Sequence, residues 1–218
     1  MRRGHRVVLA AVFVEIASAC TIAPAPAGAP DVGELGRLPP PGYGTLTQRQ
    51  VSVSMLSRDL EILVTPLDES VTRVTAPDTH GRLSGMADAH RTSAPPGSSL
   101  FLVSFFSAEP GVRFVPEDIE LVSRGVRLKP VSIAPITPGW GQGRLQQRVT
   151  EMAVYAFAGQ VDLESDLVIA YGAEQTREWD VILPRVQAER ARARARAGIG
   201  EGTPGPDQAS RPYFEILR

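Results

Sequence analysis

The segment at residues 99–107 restricts the fold more than any other part of this sequence. It reads SLFLVSFFS, and apolar side chains occupy both its odd and its even positions. A strand with one face in water alternates apolar and polar residues, whereas a strand buried on both faces is a short, continuous apolar run. The segment therefore predicts a strand buried inside a β-sandwich.

Other short strands are predicted on either side of this segment. Residues 51–55 and 149–158 alternate with the period of two that is typical of half-buried strands. The remaining predicted strands are 59–67, 71–75, 112–115, 119–122, 126–133, 167–171 and 178–183. Since helical periodicity is almost absent, the pattern favours an all-β domain over residues 45–184. The preferred architecture is an antiparallel β-sandwich, with a β-barrel as second choice.

An immunoglobulin-like version of the sandwich depends on strand number and spacing alone. The chain has a single cysteine, so the disulfide pair of antibody-type domains is absent. Residues 76–99 contain few large apolar side chains and many Gly, Pro, Ser and Asp residues. They are predicted to form a long loop with a small hairpin near Gly81.

A second predicted loop, TPGWGQG at residues 137–143, carries Trp140. Its three glycines indicate mobility, and the expected exposure of Trp140 is partial. An aromatic side chain among adaptable glycines is suited to contact with a sugar or a protein. Trp140 is therefore a candidate binding residue, and the alternative is a flexible turn without a ligand.

Both ends of the chain differ in composition from the predicted domain. Residues 20–44 are rich in proline and glycine, which predicts a flexible linker. Residues 185–218 begin with an Arg/Ala repeat, which predicts a short helix with Pro184 at its first position and a stop at Gly198, followed by a flexible tail. Arginines two residues apart spread over two faces of a helix, which disfavours an amphipathic membrane helix. The helix either contacts anionic lipid head groups or cell-wall polymers, or is a solvated element beside an acidic domain.

Residues 1–19 have the parts of a signal peptide. Arg2, Arg3 and Arg6 precede an apolar run at residues 7–14, and small residues follow. The run is far shorter than the roughly 20 residues that cross a bilayer core, so it does not predict a permanent span.

The residues that close this leader, Ile16-Ala17-Ser18-Ala19-Cys20, resemble the lipobox of bacterial lipoproteins, with Ala17 where leucine is usual. The resemblance covers residues 1–20. It implies that Cys20 is acylated and becomes the N-terminus, and that the lipid anchors the protein to a membrane of the cell envelope. Thr21 after the cysteine is compatible with the outer membrane. Ala17-Ser18-Ala19 also fits ordinary signal cleavage, which would release a secreted protein with a free thiol.

Two Asp-x-His pairs, Asp78/His80 and Asp88/His90, are the candidate metal ligands. On an extended backbone, residues two apart point to the same side, so each pair offers one oxygen and one nitrogen to a cation. If the pairs met across the predicted hairpin, they would form the metal site of an exported hydrolase. The alternative is that polar residues gather in a solvated loop.

The sequence contains no motif for nucleophilic catalysis, phosphate binding or nucleic-acid binding. The chain has no G-x-S-x-G nucleophile frame, and the glycines at residues 139–143 precede a predicted strand rather than a helix, so no phosphate loop or cofactor is predicted. A net charge of −1 gives no basic footprint for nucleic acid. The sequence thus favours a membrane-anchored, non-catalytic domain that binds or assembles with an envelope protein or a cell-wall partner. The metal-dependent hydrolase is the alternative.

Overall fold

A computed structural model of the protein describes residues 38–198, which form a mostly-β fold with two antiparallel sheets. The first sheet has the strand order β1-β2-β3-β7-β6. Its strands are β1 (Val53–Ser57), β2 (Leu60–Pro66), β3 (Ser99–Phe106), β6 (Pro130–Pro135) and β7 (Thr150–Phe157). The second sheet has the order β5-β4-β8-β9. It contains β4 (Ile119–Ser123), β5 (Val126–Leu128), β8 (Leu167–Tyr171) and β9 (Glu174–Thr176).

Four α-helices accompany the sheets within residues 38–198. Two are single turns, α1 (Gln48–Val51) and α2 (Glu69–Thr72), and two are long, α3 (Pro77–Arg91) and α4 (Trp179–Arg196). Short 3₁₀ turns lie at Pro116–Asp118 and Trp140–Gln142. None of the described helices is both long and apolar enough to cross a membrane.

Strand β3 is the centre of the first sheet, and both of its faces are buried as predicted. Phe101 and Phe105 point into a core that also contains Ile119 and Leu121 of the second sheet. On the opposite face, Leu102 packs in a second cluster formed with helix α3. The apolar composition of both faces is therefore explained by two different neighbours.

The predicted strand at residues 71–75 and the predicted loop at 76–99 are wrong, because α2 and α3 lie there instead. Helix α3 starts with Pro77 at a position where the missing N–H costs nothing. Its side chains Thr79, Leu83 and Ala87 are buried at a spacing of four residues. This stripe is narrow, and two glycines lower the helix propensity, so the helix owes its stability to packing on the sheet.

The predicted strand at residues 178–183 is also wrong, because α4 begins at Trp179. Pro184 lies inside this helix rather than at its first position. The buried residues follow a 3-4-3-4 spacing, which is the period of a helix: Trp179, Ile182, Val186, Glu189 and Ala193. Proline at the sixth position hides this period in the sequence, since proline usually ends a helix.

Packed residues lie on both sides of the range 45–184. At the N-terminal side, Pro39 and Gly44 are buried although both fall within the predicted linker. At the C-terminal side, α4 continues without a break to Arg196. The signal peptide, Cys20, linker residues 20–37 and the tail from residue 199 onward lie outside the described residues.

Candidate functional site

The four predicted metal ligands all lie on α3, and the helix separates them. On a helix, side chains two residues apart are rotated by about 200° around the axis. Asp78 and His80 therefore point to different sides, as do Asp88 and His90. The two histidines are ten residues apart, about 15 Å along the axis. Among residues 38–198, no group of three or more acidic, histidine or cysteine side chains is placed to hold a metal ion. The extended geometry from which the site was predicted is absent.

His80 has a defined role within the fold. Its Nδ1 lies 3.1 Å from the carbonyl oxygen of Thr72 in α2 and 3.3 Å from the hydroxyl of Ser84, one turn further along α3. Because a carbonyl oxygen only accepts hydrogen bonds, the contact with Thr72 places a proton on Nδ1. His80 thus joins α3 to α2.

A small groove of about 110 Å³ lies beside this histidine. It is bounded by α2, α3 and Pro41, and both His80 and Asp88 line it, whereas Asp78 and His90 do not. Glu69 and Arg73 also line it and form an ion pair with each other at 2.5 Å. The groove therefore offers hydrogen-bonding groups of both signs and has no metal-ligating set.

Trp140 is buried rather than half exposed, with 7% of its surface accessible. Its ring packs against Phe114 and Phe105, with centroid distances of 5.1 and 5.6 Å. Beneath the same loop, Thr137 donates a hydrogen bond to the buried carboxylate of Glu151. The loop is held on the aromatic core, so Trp140 is a packing residue and not an accessible binding residue.

The feature that sequence reasoning missed is the attachment of residues 39–46, here called the strap. Leu46 pairs with the chain between α2 and α3. Its N–H donates to the carbonyl oxygen of Val74 (3.1 Å), and its own carbonyl oxygen accepts a hydrogen bond from the N–H of Ala76 (2.9 Å). Gly44 approaches the backbone of Val74 so closely that a Cβ there would clash. The strap, which includes the last six residues of the predicted linker, is therefore packed into the fold.

Helix α4 holds the other side of the strap through Glu189, which is 2% exposed. The hydroxyl of Thr45 donates to this carboxylate at 2.8 Å, and Arg196 donates a second hydrogen bond. Arg196 also donates through Nε to the carbonyl oxygen of Tyr43 at 2.9 Å. A glutamate in the buried 3-4-3-4 stripe was the one sequence signal of this contact.

The electrostatics of Glu189 follow from these partners. Burial, the largest influence, favours the protonated acid, but the hydrogen bonds from Thr45 and Arg196 outweigh it and hold the pKa of Glu189 below its ordinary value. The same balance applies to Glu164, whose pKa is lowered by Arg190 of α4 against the effect of burial. Both carboxylates are thus stabilised in the charged form by α4 arginines.

Acid is expected to weaken the attachment of the strap. Because the pKa of Glu189 is lower in the folded state than in the unfolded chain, its contribution is complete above the ordinary value of 4.5 and is lost as pH falls through the folded value. Glu189→Gln should lower the free energy of unfolding at pH 7 by about 2 kcal/mol, typical of hydrogen bonds to a charged group. Urea unfolding at a series of pH values should show a smaller loss on acidification for this variant than for the wild type. Glu174→Gln, at an exposed position of β9, is the control and should keep the wild-type slope.

Protein-family models, curated proteins and solved structures were all compared with this chain, and none matches it.

Proposed function

We propose that the protein is a membrane-tethered envelope lipoprotein whose domain binds or assembles with a partner and performs no catalysis. The lipobox-like residues up to Cys20 and the Pro/Gly-rich residues after it support an anchor followed by a linker. The cell envelope is the proposed location, with the outer membrane favoured. An envelope protein or a cell-wall polymer is the proposed partner.

The observation that carries this proposal is the strap. Hydrogen bonds from Arg196 to Tyr43 and from Thr45 to Glu189 connect it to α4, and Leu46 connects it to α2 and α3. A tether that joins a domain through a packed segment leaves from one fixed place on its surface. A fixed attachment point sets which part of the domain lies nearest to the linker, which is a useful property for binding or assembly.

The placement of the titratable residues favours binding over hydrolysis. One helix carries all four candidate ligands, which are spread around and along it: Asp78, His80, Asp88 and His90. The Nδ1 of His80 is hydrogen-bonded to the carbonyl oxygen of Thr72. A catalytic site requires such groups to converge on one reacting atom. Their separation supports a domain without a catalytic centre.

The finer architecture that we propose is a β-sandwich. Its support is a single hydrophobic cluster that includes Phe101 and Phe105 of the first sheet together with Leu121 and Ile169 of the second. Residues facing each other from two sheets form the core of a sandwich in this way.

Replacing the proposed lipid attachment residue should release the protein from membranes. Cys20→Ser is expected to abolish labelling by a radioactive or clickable fatty acid, because serine has no thiol to which the lipid could be attached. The variant should move from the membrane fraction to the soluble fraction, or accumulate with its leader attached. Thr21→Ser, the conservative control at the next residue, should keep both label and membrane association.

Two results would contradict the anchor. One is a wild-type protein that carries no fatty acid. The other is a Cys20→Ser variant that fractionates with membranes as the wild type does and has lost its leader. Cross-linking in intact cells, followed by purification from solubilised membranes, tests the binding role separately, and recovery of the protein without any specific partner would argue against assembly.

A further inference from the structure

The arginines of α4 border its buried stripe on both sides. At 100° per residue, the stripe from Trp179 to Ala193 faces the domain, and the arginine side chains flank it. One border carries Arg185, Arg192 and Arg196, and the other carries Arg190 and Arg194. Two faces of the helix are thus basic, as the spacing of two predicted, and both faces adjoin the surface that points away from the core.

Two of these five arginines are used by the fold. Arg190 donates to the carbonyl of Ser70 and to Glu164, with 19% of its side chain exposed. Arg196 is held by Glu189 and by Tyr43 in the strap. Their charges are consequently neutralised or directed toward the domain.

The other three make weaker contacts: Arg185 and Arg192 are exposed, and Arg194 is half-buried. The side chain of Arg192 is 69% exposed. It lies 3.7 Å from the carboxylate of Glu189, which already accepts a hydrogen bond from Arg196. Arg185 is exposed and makes one long hydrogen bond, 3.3 Å, to the carbonyl of Gln50. Arg194 forms no ion pair with any residue in the described range 38–198.

The outer surface of α4 has one exposed acidic side chain, Asp180 in the first turn, and it precedes all five arginines. From Val181 to Arg196 the only acidic residue is Glu189, and it is buried. After Asp180, the side chains between the two arginine borders are neutral and mostly small: Val181, Pro184, Gln187, Ala188, Ala191 and Ala195. The helix therefore presents a positive surface that runs about 14 Å along its axis from Arg185 to Arg194.

This basic surface adjoins the place where the strap joins the domain. Arg196, in the last turn of α4, contacts Tyr43 directly, so the C-terminal end of α4 lies beside the middle of the strap. Pro39, at the start of the strap, accepts a hydrogen bond from Arg73 after α2. A tether brings the part of a domain nearest to it closest to the anchoring bilayer. Anionic head groups attract basic residues at this range, each contributing about 1 kcal/mol.

We propose that Arg185, Arg192 and Arg194 form a docking surface for the anionic lipid head groups of the membrane. This proposal rests on the proposed lipid anchor at Cys20, which would hold the domain close to the membrane. The contact would orient the domain with α4 toward the bilayer. Salt weakens such a contact because the charges act through water.

The experiment measures binding to lipid vesicles by sedimentation. The full chain carries Cys20→Ser, so an attached lipid plays no part, and the leader is the same in every variant. The vesicles contain phosphatidylcholine alone or a mixture with phosphatidylglycerol. R185Q/R192Q/R194Q is compared with R113Q/R144Q/R148Q, which makes the same change in net charge on exposed residues of the loops around Trp140.

The α4 triple variant should bind phosphatidylglycerol vesicles roughly 100-fold more weakly than the parent, at about five-fold for each arginine lost. The loop triple variant and the charge-conserving R185K/R192K/R194K should bind as the parent does. The preference for anionic vesicles should disappear at high salt. Thermal unfolding followed by circular dichroism verifies that each variant is folded.

Equal binding by the two glutamine variants would overturn the proposal, whether both retain the parent's affinity or both lose it through bulk charge. Binding of the parent to an anionic polysaccharide such as polygalacturonate, with no preference for anionic vesicles, would also overturn it in favour of a cell-wall polymer. A failed anchor is recognised separately by missing fatty-acid label on Cys20 in cells, since vesicle binding is measured with the Cys20→Ser chain.

Discussion

Trp179→Ala is expected to lower the free energy of unfolding by about 3–5 kcal/mol, the usual range for deleting a large buried aromatic side chain. Trp179 has no accessible surface and belongs to the hydrophobic cluster that contains residues of both sheets. It lies in the first turn of α4, so its loss also weakens the docking of the helix. Urea unfolding followed by far-ultraviolet circular dichroism measures the change without depending on tryptophan fluorescence.

Two companion variants separate packing from helix formation. Val181→Ala, two residues further along α4 at a side chain that is 65% exposed, should change the free energy of unfolding by at most about 0.5 kcal/mol. Trp179→Phe should lose clearly less than Trp179→Ala, because phenylalanine refills much of the space and Nε1 of Trp179 has no hydrogen-bond partner within residues 38–198. Equal losses for Trp179→Ala and Val181→Ala would refute the position of Trp179 in the core.

Several strands were predictable because their signals are local, whereas the predicted strand at 112–115 is wrong, since Arg113 there forms only an isolated bridge with Arg144. Residues 99–107, 119–122 and 167–171 are short apolar runs, and the structure places β3, β4 and β8 there. Alternation at residues 149–158 likewise matches β7. Predictions of this kind depend only on the period of side chains along the strand.

The Arg/Ala helix predicted after Pro184 is present as the second half of α4, whereas α3 and the first turn of α4 were missed because their stability comes from distant contacts. Helix α3 contains Gly81 and Gly85 and has a narrow apolar stripe, so nothing local distinguishes it from a loop. The relevant signal is in β3, whose Leu100 and Leu102 require a cover on the second face of the sheet. In α4, Pro184 interrupts the pattern while Trp179 and Val186 preserve it at a spacing of seven.

The candidate site was less predictable than the fold. The Asp-x-His hypothesis assumed an extended backbone at residues 78–90, so it failed together with the predicted loop. The strap depends on Thr45 meeting Glu189, 144 residues later in the chain, and no local pattern specifies such a pair. Glycine-rich composition around Gly44 indicated flexibility, whereas the structure uses the missing side chain for close packing.

Gly44→Ala is expected to lower the free energy of unfolding by about 3 kcal/mol. A Cβ at this position would lie well inside 3.0 Å of backbone atoms of Val74 and Thr75. Backbone cannot move aside as a flexible side chain does, so the strap must shift. Overpacking of this kind costs about 1–3 kcal/mol, and the hydrogen bonds of Leu46 with Val74 and Ala76 contribute about 1 kcal/mol each.

The location of the damage is as informative as its size. Hydrogen exchange at the amides of Leu46 and Ala76 should accelerate in Gly44→Ala, because both hydrogen bonds depend on the position of the strap. Gly85→Ala is the matched control: it lies inside α3 with no atom within 4 Å of the added Cβ, so stability should stay the same or rise by up to about 1 kcal/mol. If Gly44→Ala unfolded at the same urea concentration as the wild type, the strap would not be packed against α2 and α3. The proposed fixed attachment point of the linker would then have no structural support.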